Sequence, residues 1–242
     1  MAAFAGISAA AASTARGTPP PVTRLGFDRA GAMHAAGSKL YTDFAAGYDA
    51  SGGRFFRFVT TTVTVPAAST NAPASAAVVA LSNNSGGAEL FVNAGGGSGS
   101  VGYNWTGGSG VIALAPNVGD QLTISIYFNQ HGRDLFTAAD TTTGNSVTVA
   151  ANVGSPIYTF ADVVGAVDNS QVTAPATDTR LWAFASSHLT TYSGARGTLQ
   201  GPWVTSEVVD TLTGTPSGAI VTDAPVLYNS GQNFGVWLRT TA

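Results

Sequence analysis

Residues 121–128 alternate without a break. Leu122, Ile124, Ile126 and Phe128 fall on one side of an extended chain, and Gln121, Thr123, Ser125 and Tyr127 on the other. A period of two is the signature of a strand with one face on a core and the other toward polar surroundings. Gly119-Asp120 is a turn signal ahead of it. Asn129-Gln130-His131-Gly132-Arg133 is a connection whose glycine can take a positive φ. Residues 135–139 return, residues 140–145 turn again, and Val147 and Val149 resume the alternation. Residues 119–149 therefore read as a three-stranded antiparallel meander.

The same reading extends to the rest of the chain. Residues 55–65 are dense in aromatic and β-branched side chains, and Pro66, which cannot donate to a ladder, stops the run. Short apolar runs follow at 77–81, 89–93, 103–105 and 111–114. After the meander come 157–167, 180–185, 199–209, 219–221, 226–228 and 234–238. Twelve to fourteen short strands with frequent turn signals predict an all-β fold, an antiparallel two-sheet β-sandwich of the jelly-roll kind.

At 242 residues the chain can bury one full core. Residues 1–24 read as a signal-like remnant or tail and 25–54 as an N-terminal extension, extended or partly helical. The helix would start near Asp28 and run to about residue 36. The sandwich domain spans 55–242. The small, apolar run 2–15 resembles the late part of a secretory signal, which places the protein outside the cell or on its surface. One lysine against nine arginines, with abundant Ala, Gly and Thr, suggests a high-GC bacterial coding bias, and residues 46–66 resemble secreted proteins of actinobacteria. No apolar run is long enough for a transmembrane helix.

Composition narrows the chemistry. Charged residues are 10% of the chain and the net charge is -3, so there is no basic patch for nucleic acid. With no cysteine there is no disulfide, thiolate metal site or cysteine nucleophile. His34, His131 and His188 are scattered and lack zinc-ligand spacing. A Gly-x-Gly-x-x-Gly match at Gly97, Gly99 and Gly102 leads into Tyr103-Asn104-Trp105, a strand where a dinucleotide site needs a helix. Neither a metal nor a cofactor is expected.

The remaining candidates are carboxylates and aromatics. Glu89 and Glu207 are the only glutamates, and both fall in expected strands. A strand glutamate facing a concave sheet could act as an acid or base, although a solvent-facing carboxylate is the commoner case. Tyr103 and Trp105 share a face by parity, and Trp203 lies in the strand that carries Glu207. Such rings can stack on a sugar or a peptide side chain, or pack in the core. Low charge and many strands also permit edge-to-edge self-assembly, with no residue to assign to it.

The order of segments resembles the glutamic peptidases, the eqolisins. The resemblance rests on Val63-Thr64-Val65-Pro66, Val78-Val79-Ala80-Leu81, Tyr103-Asn104-Trp105, Gly119-Asp120-Gln121-Leu122-Thr123-Ile124 and Thr142-Thr143-Gly144-Asn145-Ser146-Val147. It implies a concanavalin-like β-sandwich and a secreted acid endopeptidase with a Gln/Glu dyad. The family's glutamine should fall near Leu90, Phe91 or Val92, and none of these is glutamine. The family's catalytic glutamate lies in a Glu-Trp-apolar-apolar-Glu strand. The nearest match, Pro202-Trp203-Val204-Thr205-Ser206-Glu207, puts Ser206 in register and Glu207 one residue late. Residues 152–200 read as an insertion. Two functions stay open. One is a non-catalytic protein binding a glycan, peptide or protein partner on the concave face through Tyr103, Trp105, Trp203 and Glu89. The other is an acid endopeptidase with an altered dyad, in which Glu207 activates water.

Overall fold

The computed structural model describes residues 34–36, 39–67, 74–95, 98–154, 156–167 and 179–239. The described chain is almost wholly strand: β1 (His34–Ala36), β2 (Lys39–Thr42), β3 (Ala45–Ser51), β4 (Phe56–Thr64), β5 (Ser75–Asn83), β6 (Gly86–Gly95), β7 (Ser98–Trp105), β8 (Gly108–Ile112) and β9 (Gln121–Phe128) come first. β10 (Arg133–Asp140), β11 (Asn145–Asn152), β12 (Phe160–Val167), β13 (Thr179–Thr191), β14 (Arg196–Gly197), β15 (Val204–Thr211), β16 (Ile220–Asp223), β17 (Leu227–Tyr228) and β18 (Asn233–Leu238) complete it.

The meander is present as read. β9 pairs antiparallel with β10, and β10 with β11. Gly119, Gly132 and Gly144 all hold positive φ at its turns. Asp140 closes the second turn, accepting from the Thr142 and Thr143 backbone N–H groups at 2.9 and 3.1 Å. The Thr143 hydroxyl adds a bond of 2.8 Å.

Two layers pack face to face. The first runs β2-β15-β3-β12-β5-β6-β7-β8. The second runs β11-β10-β9-β4-β13-β18. β16 pairs with both β15 and β18 and so joins the layers at one end. Between them lies the main core, in which Tyr48, Val163, Val79, Leu90 and Val101 of the first layer meet Val59, Ile124, Phe136 and Trp182 of the second.

Three expectations are corrected. The 25–54 extension supplies β3, which sits between β12 and β15. Its sequence, Ala-Ala-Gly-Tyr-Asp-Ala-Ser, carries no β-branched residue, so position in the sheet overrides propensity. The expected helix near 28–36 falls mostly outside the described residues, and His34–Ala36 is strand. The supposed insertion at 152–200 is not an addition to the scaffold, because β12 and β13 are central strands of the two layers.

Large aromatics lie flat on glycines of the neighbouring strand. A Cβ at Gly110 would sit 2.4 Å from the Tyr103 hydroxyl oxygen, one at Gly108 2.9 Å from Trp105, and one at Gly102 2.4 Å from Phe91. The rings cover backbone that glycine leaves bare. Gly110→Val should push Tyr103 off Phe136, whose ring centroid is 4.8 Å away. Urea unfolding should show a loss of about 1–3 kcal/mol, whereas an unchanged midpoint would mean the contact is dispensable.

Candidate functional site

Parity along the strands of the first layer sorts its side chains into an inner face, on the main core, and an outer face. One row across the outer face is polar. Ser206 opposes Asp49, Asp49 opposes Asp162, Asp162 opposes Ala80, Ala80 opposes Glu89, and Glu89 opposes Asn104. Asn104 Nδ2 donates to Glu89 Oε2 at 3.3 Å. The next row is apolar: Val208, Gly47, Val164, Val78, Phe91 and Gly102 are successive partners. Asp49, Asp162, Val164, Val78 and Glu89 are all buried. Asp49 and Asp162 form a directly opposed pair of acids that single-sequence reading missed. Their separation of more than a hundred residues hides a pairing that only the β3–β12 register creates.

Glu207 does not join this row. It opposes Tyr48 in β3 and Lys39 in β2, with no register shift in that stretch, so it points toward the inner side. Its Oε2 pairs with Lys39 Nζ at 3.0 Å, with the Lys39 side chain 46% exposed and that of Glu207 16%. The hydrogen bond to Glu207 raises the Lys39 pKa. Oε1 of Glu207 is buried with no hydrogen-bond partner. Its partner is thus an ammonium, and among the described residues no amide or second carboxyl bonds it. Distance also separates Glu207 from β6, the strand where the family's glutamine was expected. Four strand steps of about 4.8 Å put the two strands roughly 19 Å apart.

β12 lies only two steps from β6. It reads Asp162-Val163-Val164-Gly165-Ala166, with neither the Trp nor the closing Glu of the five-position motif. An acid stands first, and Ala166 occupies the last position. At the glutamine position, Leu90 and Val92 face the core, while Phe91 lies over Gly102 on the outer face. On the outer face, Phe91, Val164 and Ala166 pack in one apolar cluster.

The four expected binding residues do not converge. Glu89 is on the outer face, while Tyr103 and Trp105 are on the inner side, stacked on each other at 5.7 Å with an interplanar angle of 11°. Trp203 packs edge-on against Phe56 at 5.5 Å, and its indole N–H donates to Leu199 O at 3.3 Å.

Trp105 does, however, reach a cleft at the end of the sandwich. About 370 Å³ in volume, it lies between the 83–87 turn, the 105–107 turn and the 152–158 connection. Trp105, Tyr158, Asn83, Asn152 and Pro156 are among its lining residues, and none of the lining side chains carries a formal charge. Gly107 must be glycine here, because a Cβ would lie 2.8 Å from the Trp105 indole nitrogen. Tyr158 donates its hydroxyl to Asp134 Oδ2 at 2.6 Å behind the wall. Burial drives the Asp134 carboxyl up to about 6, with the Tyr158 bond pulling the other way. The Tyr158 phenol is raised by its burial and by Asp134.

The sequence matches no protein-family model and none of the curated proteins. Solved structures do resemble the fold. A scytalido-glutamic peptidase holding a transition-state analogue inhibitor superposes with a TM-score of 0.61 at 18% identity, covering 83% of this chain and 98% of that one. SCP-B, an eqolisin in complex with the tripeptide Ala-Ile-His, gives 0.55 at 15%, covering 82% and 98%. Aspergilloglutamic peptidase from Aspergillus niger gives 0.51 at 17%, covering 70% and 99%. The chain has the β-sandwich fold of the glutamic peptidases. Among the described residues no helix is long and apolar enough to cross a membrane, and no group of three or more His, Cys, Asp or Glu is placed to hold a metal ion.

Two acids of β10 set opposite pH dependences. Asp134 has a folded pKa above its unfolded value, so ionising it opposes folding, and stability falls as pH rises from about 4 through about 6. Burial pushes Asp140 up, but the Thr143 hydroxyl and the Thr143 and Thr142 N–H groups outweigh it and hold its pKa below the usual value. Its contribution is present above the unfolded pKa and lost in stronger acid. Urea unfolding should show greatest stability near pH 4–5 and a loss of about 3 kcal/mol by pH 7. A flat profile over pH 4–7 would contradict the burial of an ionisable Asp134.

Proposed function

We propose that the chain is a secreted or cell-surface, non-catalytic relative of the glutamic peptidases that binds an uncharged peptide segment in the end cleft. The observation that carries this reading is the apolar packing of Phe91, Val164 and Ala166 on the outer face, where a working dyad would need an amide and a carboxyl. Function follows from a site and not from a fold. The cleft supports binding because it combines two rings with the Asn83 and Asn152 carboxamides and no charged side chain. Such a lining suits backbone-like donors and acceptors flanked by apolar groups. One fold neighbour is solved with a tripeptide, which favours a peptide over a glycan. The small, apolar run at 2–15 supports export.

A second reading, an acid endopeptidase with an altered dyad, is favoured by the likeness of fold and by one feature of the outer face. Asp49 and Asp162 oppose each other directly across the β3–β12 register, and carboxyls on neighbouring strands can serve one substrate as acid and base. Casein digestion at about pH 3–4 separates the readings. No cleavage is expected from the wild type. Cleavage that Asp162→Asn abolishes would establish the peptidase, and cleavage that Glu207→Gln abolishes would return the role to Glu207.

Binding is read by quenching of tryptophan fluorescence with acetyl-Ala-Ile-Ala-amide at pH 5. Saturable quenching that Trp105→Ala removes is expected. Quenching by neutral oligosaccharides alone would reassign the cleft to a glycan, and no response to either would reject it as a site.

A further inference from the structure

The 152–158 connection forms one wall of the cleft, and its fastenings differ in kind. Val153 N–H donates to Gly132 O, Phe56 N–H to Tyr158 O and Thr159 N–H to Ser82 O, each at 2.8 Å. Asn83 Nδ2 donates to Ile157 O at 3.0 Å, and the Tyr192 hydroxyl to Pro156 O at 3.2 Å. None of these groups changes protonation between pH 4 and 8, and the Tyr192 phenol is itself pushed up to about 12, mainly by burial. The Tyr158–Asp134 bond is the exception among them.

Asp134 is 0% exposed. It stands opposite Phe128 in β9 and Ala151 in β11. The Phe128 ring packs against Tyr158 at 6.0 Å and Tyr192 at 5.8 Å. Oδ2 accepts from Tyr158, while Oδ1 is buried without a hydrogen-bond partner. The ionisable groups around it are the Tyr158 and Tyr192 phenols, with Arg57 acting beyond them on Tyr192. Arg133, next to it in the chain, bonds Asn152 Oδ1 at 3.2 Å instead. Asp134 therefore has no bonded cation to stabilise its anion, and half of its carboxylate would lack any donor.

We propose that Asp134 is a proton-operated latch on the Tyr158 wall of the end cleft, closed when the carboxyl is neutral and released when it ionises. The proposal rests on the reading of this cleft as the binding site. A neutral carboxyl sits in this apolar surrounding at little cost and keeps its bond to Tyr158. A carboxylate there lacks solvation at Oδ1. Tyr158 stands between Asp134, to which it donates, and the cleft that it lines, so hydration of the anion from the cleft displaces that ring. Release then develops as pH rises from the ordinary carboxyl range through about 6, the value to which burial raises the closed carboxyl. Peptide binding to the closed wall then takes up at most one proton, and does so within that pH window.

Hydrogen exchange of the unliganded full chain tests the latch, read at the amides of Phe56 and Thr159 and corrected for intrinsic rates. Protection should fall as pH rises from about 4 through about 6, by up to tenfold per pH unit, the limit for one proton, and level off above that. Asp134→Asn should remove the pH dependence. Tyr158→Phe, which keeps the ring and removes the bond, should lower the protection of the same amides already at about pH 4–5. Corrected protection that is flat to pH 8 in the wild type, or an identical fall in Asp134→Asn, would overturn the latch. Affinity for acetyl-Ala-Ile-Ala-amide should weaken in parallel as pH rises through about 6. Exchange that follows pH while no peptide binds at any pH would keep the latch and reject the binding site. Peptide affinity that is constant over pH 5–8 would separate the latch from binding and overturn the proposed linkage.

Discussion

The structure depends on burying both faces of one sheet layer. β3, β12 and β5 are buried along nearly their whole length, not at alternate positions. Small residues make this possible. Ala45, Ala46, Ala50, Ala76, Ala77, Ala80, Ala161 and Ala166 are all buried in these strands. A Cβ at Gly165 would come within 3.1–3.2 Å of Val236, and one at Gly47 would strike the β12 backbone at 2.4 Å. Interiors packed to crystal-like density leave no room for such additions. The composition rich in alanine and glycine is, at these positions, a packing requirement.

That constraint also decides the outer face. A broad sheet surface can serve as a substrate platform only if solvent reaches it, and here Asp49, Asp162 and Val164 are buried. The second layer behaves differently. Its outer side carries hydroxyl pairs such as Thr62–Thr123 and Thr137–Thr148, at 2.9 and 2.8 Å, on partly buried or exposed surface. The end cleft combines solvent access, aromatic rings and backbone-like polar groups, and it lies over Asp134, whose burial makes its charge costly near neutral pH.

Local pattern made much of this legible. β9 was read to the residue, because strict alternation leaves no second interpretation, and β4 to within a residue because Pro66 stops the run. The glycines at 119, 132 and 144 named their turns in advance. β3 was missed because a doubly buried central strand need not alternate and its small residues carry no strand propensity. The residues that matter at the candidate sites were mostly hidden. Asp49 meets Asp162, and Tyr158 meets Asp134, only through pairings distant in sequence. Trp105 was identified as a binding candidate for its type, yet its inner-side position could follow only from the register of β7 against β6. Glu207 drew attention as a rare strand glutamate, and only the β2 pairing shows that Lys39 holds it.

The central claim is that this peptidase-like scaffold presents its ligand site at the end of the sandwich and not across the outer face. A crystal structure at pH 5 with acetyl-Ala-Ile-Ala-amide tests it most directly. The account predicts peptide density between Trp105 and Tyr158, within hydrogen-bond reach of the Asn83 or Asn152 carboxamide. Density running across the outer face over Asp49 and Asp162, with the end cleft empty, would contradict it.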